Sequence, residues 1–357
     1  MRVANYYGRE DLRVESVEER ALAADEVRID VEACGICGTD IHEYTAGPDL
    51  TPSADAEHPL TGVGLPVPLG HEFSGIVTEV GTDVTSVTEG TAVTVNPAIV
   101  CGDCRYCAEG RHNLCESVAN VGLSADSGGF SERAVVPAAN VVSLPEEIPV
   151  AYGALVEPFA VGVHATRRSG LEAGDAVAVF GSGPIGLAIV QAAKAAGATE
   201  IFVSEPRTTR REIAAEVGAT TTLDPTSTDA VKAITDATDG GVDVAFEAVG
   251  IEPTFTAAIE STKRGGQITA VGISNSDVGL TPNDLVVVER TINGSNGYLS
   301  GPLADREFRM VTRFLADGRF DPEPMITARI DLEDIVEDGF EDLVNPESDH
   351  VKVLVEP

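Results

Sequence analysis

Four cysteines, Cys101, Cys104, Cys107 and Cys115, stand in one fifteen-residue stretch, C-G-D-C-R-Y-C-A-E-G-R-H-N-L-C. Spacings of two, two and seven residues let four thiolates converge tetrahedrally on one divalent cation. Zinc–sulfur bonds of about 2.3 Å draw such ligands from turns and short loops. The stretch is therefore expected to fold as a structural zinc lobe. Two local disulfides are the alternative, and the metal-type spacing in a chain without secretory features weighs against them. His112 could replace one thiol, but four are enough. Four ligands close the coordination shell, so the chemistry must lie elsewhere.

The chain around this lobe has 357 residues, enough for two domains that each bury a core. Its hydrophobic content of 43% fits a globular fold. No stretch approaches the ~20 continuous apolar residues of a membrane helix, and Arg2, Arg9 and Glu10 interrupt any signal-peptide core at the start. A cytoplasmic location is expected. The formal net charge of −34 argues against nucleic acid or an anionic membrane surface as partner. The acid is spread along the chain, and four lysines stand against twenty arginines. Such self-repulsion destabilises a compact state at low salt, and the composition resembles that of a halophile's cytosolic protein.

From Met1 to about Val31 apolar and acidic residues alternate, which suits strands with one wet face. Cys34 and Cys37 follow as a C-x-x-C pair, for which a redox role is the alternative to metal ligation. Residues 45–68 are rich in Pro, Gly and Asp and read as a long loop, the expected wall of a substrate site. Gly70, His71 and Glu72 then lead into a barrel-like strand, F-S-G-I-V-T-E-V-G. Two more short strands after the cysteine lobe complete a β-rich first region. Near residue 151 the period becomes helical, with Pro158 tolerated early in the helix. From Gly174 strand-length and helix-length apolar runs alternate, the pattern of a parallel sheet with crossovers on its faces.

Gly181, Gly183 and Gly186 form G-x-G-x-x-G directly after the apolar run A-V-A-V-F and open a helical run through Pro184 and Ile185. In that strand-turn-helix setting the motif reads as a dinucleotide-binding loop. Gly181 permits the turn, Gly183 lets a pyrophosphate approach the backbone, and Gly186 lets helix and strand pack closely. Glu205 lies nineteen residues beyond Gly186, where an acid would bond the ribose hydroxyls and repel a 2′-phosphate. NAD is expected rather than NADP. Arg207 and Arg210 stand beside it and could accept a phosphate.

Taken together, C-G-T-D-I-H from Cys37 to His42, G-H-E at Gly70–Glu72, the four-cysteine lobe, the glycine loop and V-E-P around Glu157 resemble the zinc-dependent medium-chain alcohol and polyol dehydrogenases, in order and over essentially the whole chain. C-G-I-C-G-T-D-I-H-E-Y, H-P-L-T-G and L-G-H-E-F-S-G look most like the 2,3-butanediol dehydrogenases among them. The resemblance implies an α/β protein. Residues 1–151 and 295–357 would form a β-rich GroES-like catalytic domain with the structural zinc lobe, and 152–294 a Rossmann-type doubly wound parallel sheet.

The same resemblance implies that Cys37, His71 and Glu157 hold a catalytic Zn²⁺. One thiolate, one imidazole and one carboxylate would fill three corners of a tetrahedron and leave the fourth open. Glu72 would be an alternative ligand or a support behind the ligands. Thr39 matches the hydroxyl that takes the alcohol proton, and His42 the histidine that passes it to solvent. Cys34 matches no ligand, Asp40 reads as structural, and His164 either lines the pocket or is a core histidine. Two zinc ions per subunit, NAD, a small diol or polyol substrate and a homodimer or homotetramer complete the expectation. The expected reaction is oxidation of a secondary alcohol, foremost 2,3-butanediol to acetoin, with a sorbitol-like polyol or L-threonine as the alternative substrate. A nucleotide-binding protein without turnover and a zinc-free quinone reductase are the rival readings.

Overall fold

Alternation at Glu26–Gly35 puts Val27 and Ile29 wholly inside while Arg28 and Asp30 stay half-buried, and this strand is the spine of the amino-terminal region. The computed structural model describes residues 1–274, 277–299 and 305–357. The chain forms two units. The first comprises Met1–Glu157, Leu299–Ala316 and Ile326–Pro357, and the second Pro158–Tyr298 and Asp317–Met325.

In unit 1 the strands are β1 (Arg2–Gly8), β2 (Asp11–Ser16), β3 (Glu26–Gly35), β4 (Val67–Pro68), β5 (Glu72–Val80), β6 (Ala92–Val95), β7 (Ala98–Ile99), β8 (Ala119–Asn120), β9 (Arg133–Pro137) and β10 (Val141–Ser143), with β17 (Ile326–Asp331) and β18 (Lys352–Glu356) returning from the carboxyl end. The main sheet runs β10-β6-β5-β3-β18-β17, and β9 also pairs with β3. Ile29, Phe73, Val77, Val93, Phe130 and Phe340 form its core. Helix α1 (Gly38–Ala46) follows β3, and the short α2 (Arg105–Ala108) lies in the cysteine lobe. β18 pairs antiparallel with the end of β3, Leu354 opposite Gly35 and Val355 opposite Cys34, so the last residues of the chain reach the segment that leads into α1.

Unit 2 alternates as the hydrophobic pattern predicts: β11 (Ala176–Phe180), α4 (Pro184–Ala196), β12 (Glu200–Ser204), α5 (Thr208–Val217), β13 (Thr221–Leu223), α6 (Ala230–Ala237), β14 (Val242–Glu247), α7 (Glu252–Ser261), β15 (Thr262–Ala270), α8 (Asn283–Val286) and β16 (Thr291–Gly294), all preceded by α3 (Val156–Arg168). Every pairing is parallel, in the order β13-β12-β11-β14-β15-β16. That is the doubly wound dinucleotide-binding arrangement, whose order reverses between β11 and β14 and whose ligand crevice lies beyond the carboxyl ends of those strands.

The expected division at 151/152 and 294/295 needs correcting. The 3₁₀ turn Val150–Leu155 stays with unit 1, because the Ser74 hydroxyl donates to the Val150 carbonyl at 2.6 Å and a Cβ on Gly153 would stand 2.6 Å from Leu144 and Ser74. Asp317–Met325 goes to unit 2, where Gln191 makes two hydrogen bonds with the Asp321 backbone, at 2.9 and 2.7 Å, and the Phe159 and Phe320 rings stack 4.7 Å apart. Neither tie is local in sequence. Among the described residues no helix is long and apolar enough to cross a membrane.

Candidate metal centres and cofactor loop

The four thiols of the lobe gather as their spacing predicts. Cys101, Cys104, Cys107 and Cys115 place their sulfurs within 4.8 Å of one another, with Cys101 Sγ 3.4 Å from Cys115 Sγ and 3.9 Å from Cys107 Sγ. A zinc with sulfur bonds of about 2.3 Å sets the tetrahedral edge at roughly 3.8 Å, so the residues fit that ion. All six cysteines are free, which removes the disulfide alternative. The backbone amides of Cys107 and Glu116 donate to the Cys104 sulfur and bring its thiol down to about 6, into the range of a ready metal ligand. His112 lies in a neighbouring 3₁₀ turn, outside the group of four.

A second cluster forms where β3, α1 and β5 meet. Cys37 caps the amino terminus of α1, and His71 and Glu72 stand at the start of β5. One ligand atom from each of Cys37, His71 and Glu72 lies within 4.8 Å of the other two. Asp40, wholly buried in the first turn of α1, ties them together: one carboxylate oxygen accepts the Cys37 amide at 2.9 Å and the other lies 3.3 Å from His71 Nδ1. Asp40, expected to be structural, thus stands beside His71, where a carboxylate can support a metal-bound imidazole.

The electrostatics of this pocket ask for a cation. Burial alone would lower the His71 imidazole, yet the charges of Asp40 and Cys37 outweigh it and hold it well above its ordinary value. Burial, followed by the Glu72 charge, raises the Cys37 thiol. Glu72 is 1% exposed; its Oε2 meets the ammonium of Lys352 at 2.5 Å, while its Oε1 has no hydrogen-bond partner among the described residues. A buried carboxylate oxygen without a partner is costly. A thiol and an imidazole within 4.8 Å of each other, with a buried carboxylate as near to both, suit a zinc ion.

Glu157, expected as the third ligand, is not in this trio. It lies at the head of α3, 7% exposed, close enough for its charge to help raise the Lys352 ammonium against the larger, lowering effect of burial. Glu72 lies in the cluster as the residue directly after His71, at the first position of β5. Cys34 is fully buried in β3 with its thiol pushed well up by burial, the reverse of a reactive cysteine, which weighs against the redox reading of the C-x-x-C pair. Thr39 and His42 lie on α1, three residues apart, and share one side of it. His42 Nε2 meets Asp49 Oδ2 at 2.6 Å. The loop after α1 is folded by buried Glu43, which accepts from the amides of Asp49, Leu50 and Thr51 and from the Thr51 hydroxyl. His164 is buried on α3.

In unit 2 the glycine loop has the predicted geometry. Gly181 follows β11 with φ +92°, which favours glycine, and a Cβ on Gly186 would stand 2.0 Å from the Gly181 carbonyl. Gly183 caps α4, Pro184 occupies its first turn, and both are half-buried with Ile185, leaving the helix end accessible to an anion. Glu205, directly after β12 and 5% exposed, accepts from the Ser182 amide at 2.9 Å and the Arg207 amide at 3.0 Å. Arg210 places a guanidinium nitrogen 3.8 Å from where a Gly183 side chain would begin.

Sequence reasoning missed Lys352, Asp49 and Ser182. Only Lys352 left a signal: a lysine inside the apolar run V-K-V-L-V must find a buried partner or break the strand.

Residues 23–146 match the alcohol dehydrogenase GroES-like domain family and residues 184–317 the zinc-binding dehydrogenase family. The chain is 42% identical, over 100% of both chains, to (R,R)-butanediol dehydrogenase of Bacillus subtilis strain 168. Among solved structures it is similar to 2R,3R-butanediol dehydrogenase from Bacillus subtilis, with a TM-score of 0.92 at 41% identity, covering 100% of this chain and 99% of that one. It is also similar to a zinc-binding dehydrogenase from Sinorhizobium meliloti 1021 bound to NADP, with a TM-score of 0.89 at 34% identity, covering 100% and 99%.

Proposed function

We propose, from the premise that this chain belongs to the zinc-binding dehydrogenases with a GroES-like amino-terminal domain, that it oxidises a vicinal diol, foremost 2,3-butanediol to acetoin, with NAD. The observation that carries this reading is the convergence of Cys37, His71 and the Glu72 carboxylate in one cluster. Cys37 and His71 are assigned as ligands, with Glu157 as the third on the strength of the family resemblance although it stands outside the cluster of three, and with Glu72 held beside them. When bound, zinc supplies a Lewis acid that lowers the pKa of the alcohol, and nicotinamide supplies the hydride acceptor.

The chain's own residues handle the proton and the orientation. Asp40 Oδ1 lies 3.3 Å from His71 Nδ1 and is placed to hold the ring, so that Nε2 would be the nitrogen left for the metal. Removing a hydride from an alcohol releases one proton, which the Thr39 hydroxyl takes and His42, with Asp49 2.6 Å from its Nε2, passes outward. Glu205 would hold the ribose hydroxyls and repel a 2′-phosphate, which supports NAD over NADP, and Arg210, near Gly183, would stand beside the phosphates. The four-cysteine lobe takes the second, structural zinc. With its charge of −34 the protein is assigned to a salt-rich cytoplasm. Assembly as a homodimer or homotetramer is supported by β16, which ends the order of its sheet and leaves an edge for pairing.

The test follows NADH absorbance in molar KCl with NAD or NADP against (R,R)-2,3-butanediol, sorbitol, glycerol and L-threonine. The highest kcat/KM is expected for butanediol with NAD. Best turnover of sorbitol or threonine would reassign the substrate. Bound NAD with no alcohol turned over would favour the non-catalytic reading, and NADPH-dependent activity that survives a strong chelator the zinc-free reductase. Thermal melting should shift upward with KCl, and full stability in dilute buffer would refute the high-salt assignment.

A further inference from the structure

Lys352 is one of four lysines in the chain and is 1% exposed. The proposed chemistry has no use for it. Its ammonium donates to Glu72 Oε2 at 2.5 Å and to the Ile36 carbonyl, immediately before Cys37, at 2.9 Å. The strand that carries it is anchored beside the same segment, where the Ile36 amide donates to the Val353 carbonyl at 3.0 Å. Gly35 makes room for the pair: a Cβ there would stand 2.3 Å from Glu72 Oε2 and 3.1 Å from Lys352 Cδ. Two segments distant in sequence and one missing side chain thus converge on a single carboxylate.

Charge explains why a carboxylate beside a metal site is held this way. A thiolate and three carboxylates, from Cys37, Glu72, Glu157 and buried Asp40, exceed the charge of a divalent cation by two, and the Lys352 ammonium offsets one of these beside Glu72. Were Glu72 to move fully onto the metal, it would fill the corner that a substrate oxygen needs and leave a buried ammonium without its counter-charge. We propose that Lys352 is a positioning residue of the metal site: by holding Glu72 Oε2 it keeps this carboxylate within reach of the metal but off it, so that one coordination position stays open. The proposal rests on the reading that Cys37 and His71 hold the metal.

The test replaces the catalytic metal with Co²⁺ in the full-length enzyme, because the visible absorption of cobalt reports its coordination number directly. Lys352→Met should change the cobalt spectrum without substrate present, toward higher coordination, and lower kcat about 10- to 100-fold while KM for NAD holds. Adding Glu72→Gln to Lys352→Met should return the spectrum toward that of the unaltered enzyme, and Lys352→Arg should stay close to it. Gly35→Ala displaces Glu72 with Lys352 intact and should give the same spectral change, which decides the matter if Lys352→Met fails to fold. A cobalt spectrum indifferent to both Lys352→Met and Gly35→Ala, or a change that Glu72→Gln does not reverse, overturns the proposal alone. An enzyme that takes up no cobalt at Cys37 overturns the metal-site reading and this proposal with it.

Discussion

The cysteine lobe and the Cys37 cluster both turn sulfur toward a point that suits zinc, and they differ in almost everything around it. The lobe offers four like ligands on a short chain segment, two of them half-buried, ringed by surface pairs such as Arg105 with Glu109. The Cys37 cluster offers a thiol, an imidazole and a carboxylate from separate elements, closed in by wholly buried Asp40 and Lys352. A set that closes on itself can only hold a fold together. A mixed set with a carboxylate restrained at its edge can keep a corner for substrate, and it needs buried counter-charges that a local motif does not contain.

The largest effect should come from breaking the mixed set. Cys37→Ser removes its only thiolate and should cost several kcal/mol of transition-state stabilisation, on the order of 10³-fold in kcat/KM, with thermal melting nearly unmoved. If it keeps activity, the two sites have been assigned the wrong way round. Cys104→Ser should do the reverse: melting falls and the chelator-resistant zinc is lost, while kcat/KM per folded molecule holds. Differential scanning calorimetry paired with active-site titration separates the two effects. Asp40→Asn, which keeps the size but not the charge behind His71, should lower metal affinity or kcat about 10- to 100-fold. Its counterpart on the lobe, Arg105→Ala, removes an exposed i,i+4 pair and should change stability by no more than about 0.5 kcal/mol in chemical denaturation. Equal losses from these last two would erase the contrast between buried and surface charges.

The same contrast governs what could be read in the sequence. The lobe was legible because its four ligands sit within fifteen residues. The helix Pro184–Ala196 was legible to the residue, since Gly183 and Pro184 open it and Gly197, at φ +101°, closes it. Lys352 and Glu72 are 280 positions apart, and nothing in either neighbourhood specifies the register of β18 against β3 that joins them. Asp40 read as structural because its sequence neighbourhood shows only its place in the first turn of α1, while His71, 3.3 Å away, comes from a segment 31 residues further on. The domain boundary at Glu157/Pro158 was hidden for a like reason, since the turn before it is held by Ser74 from a distant strand.

Zinc counted per chain while a chelator withdraws it, with NAD reduction followed in the same samples, tests the central division most directly. Two zincs are expected at full activity, and diol oxidation should vanish with the first to leave while the second stays with the folded lobe. A single zinc held by Cys101, Cys104, Cys107 and Cys115, with oxidation undiminished, would contradict the account.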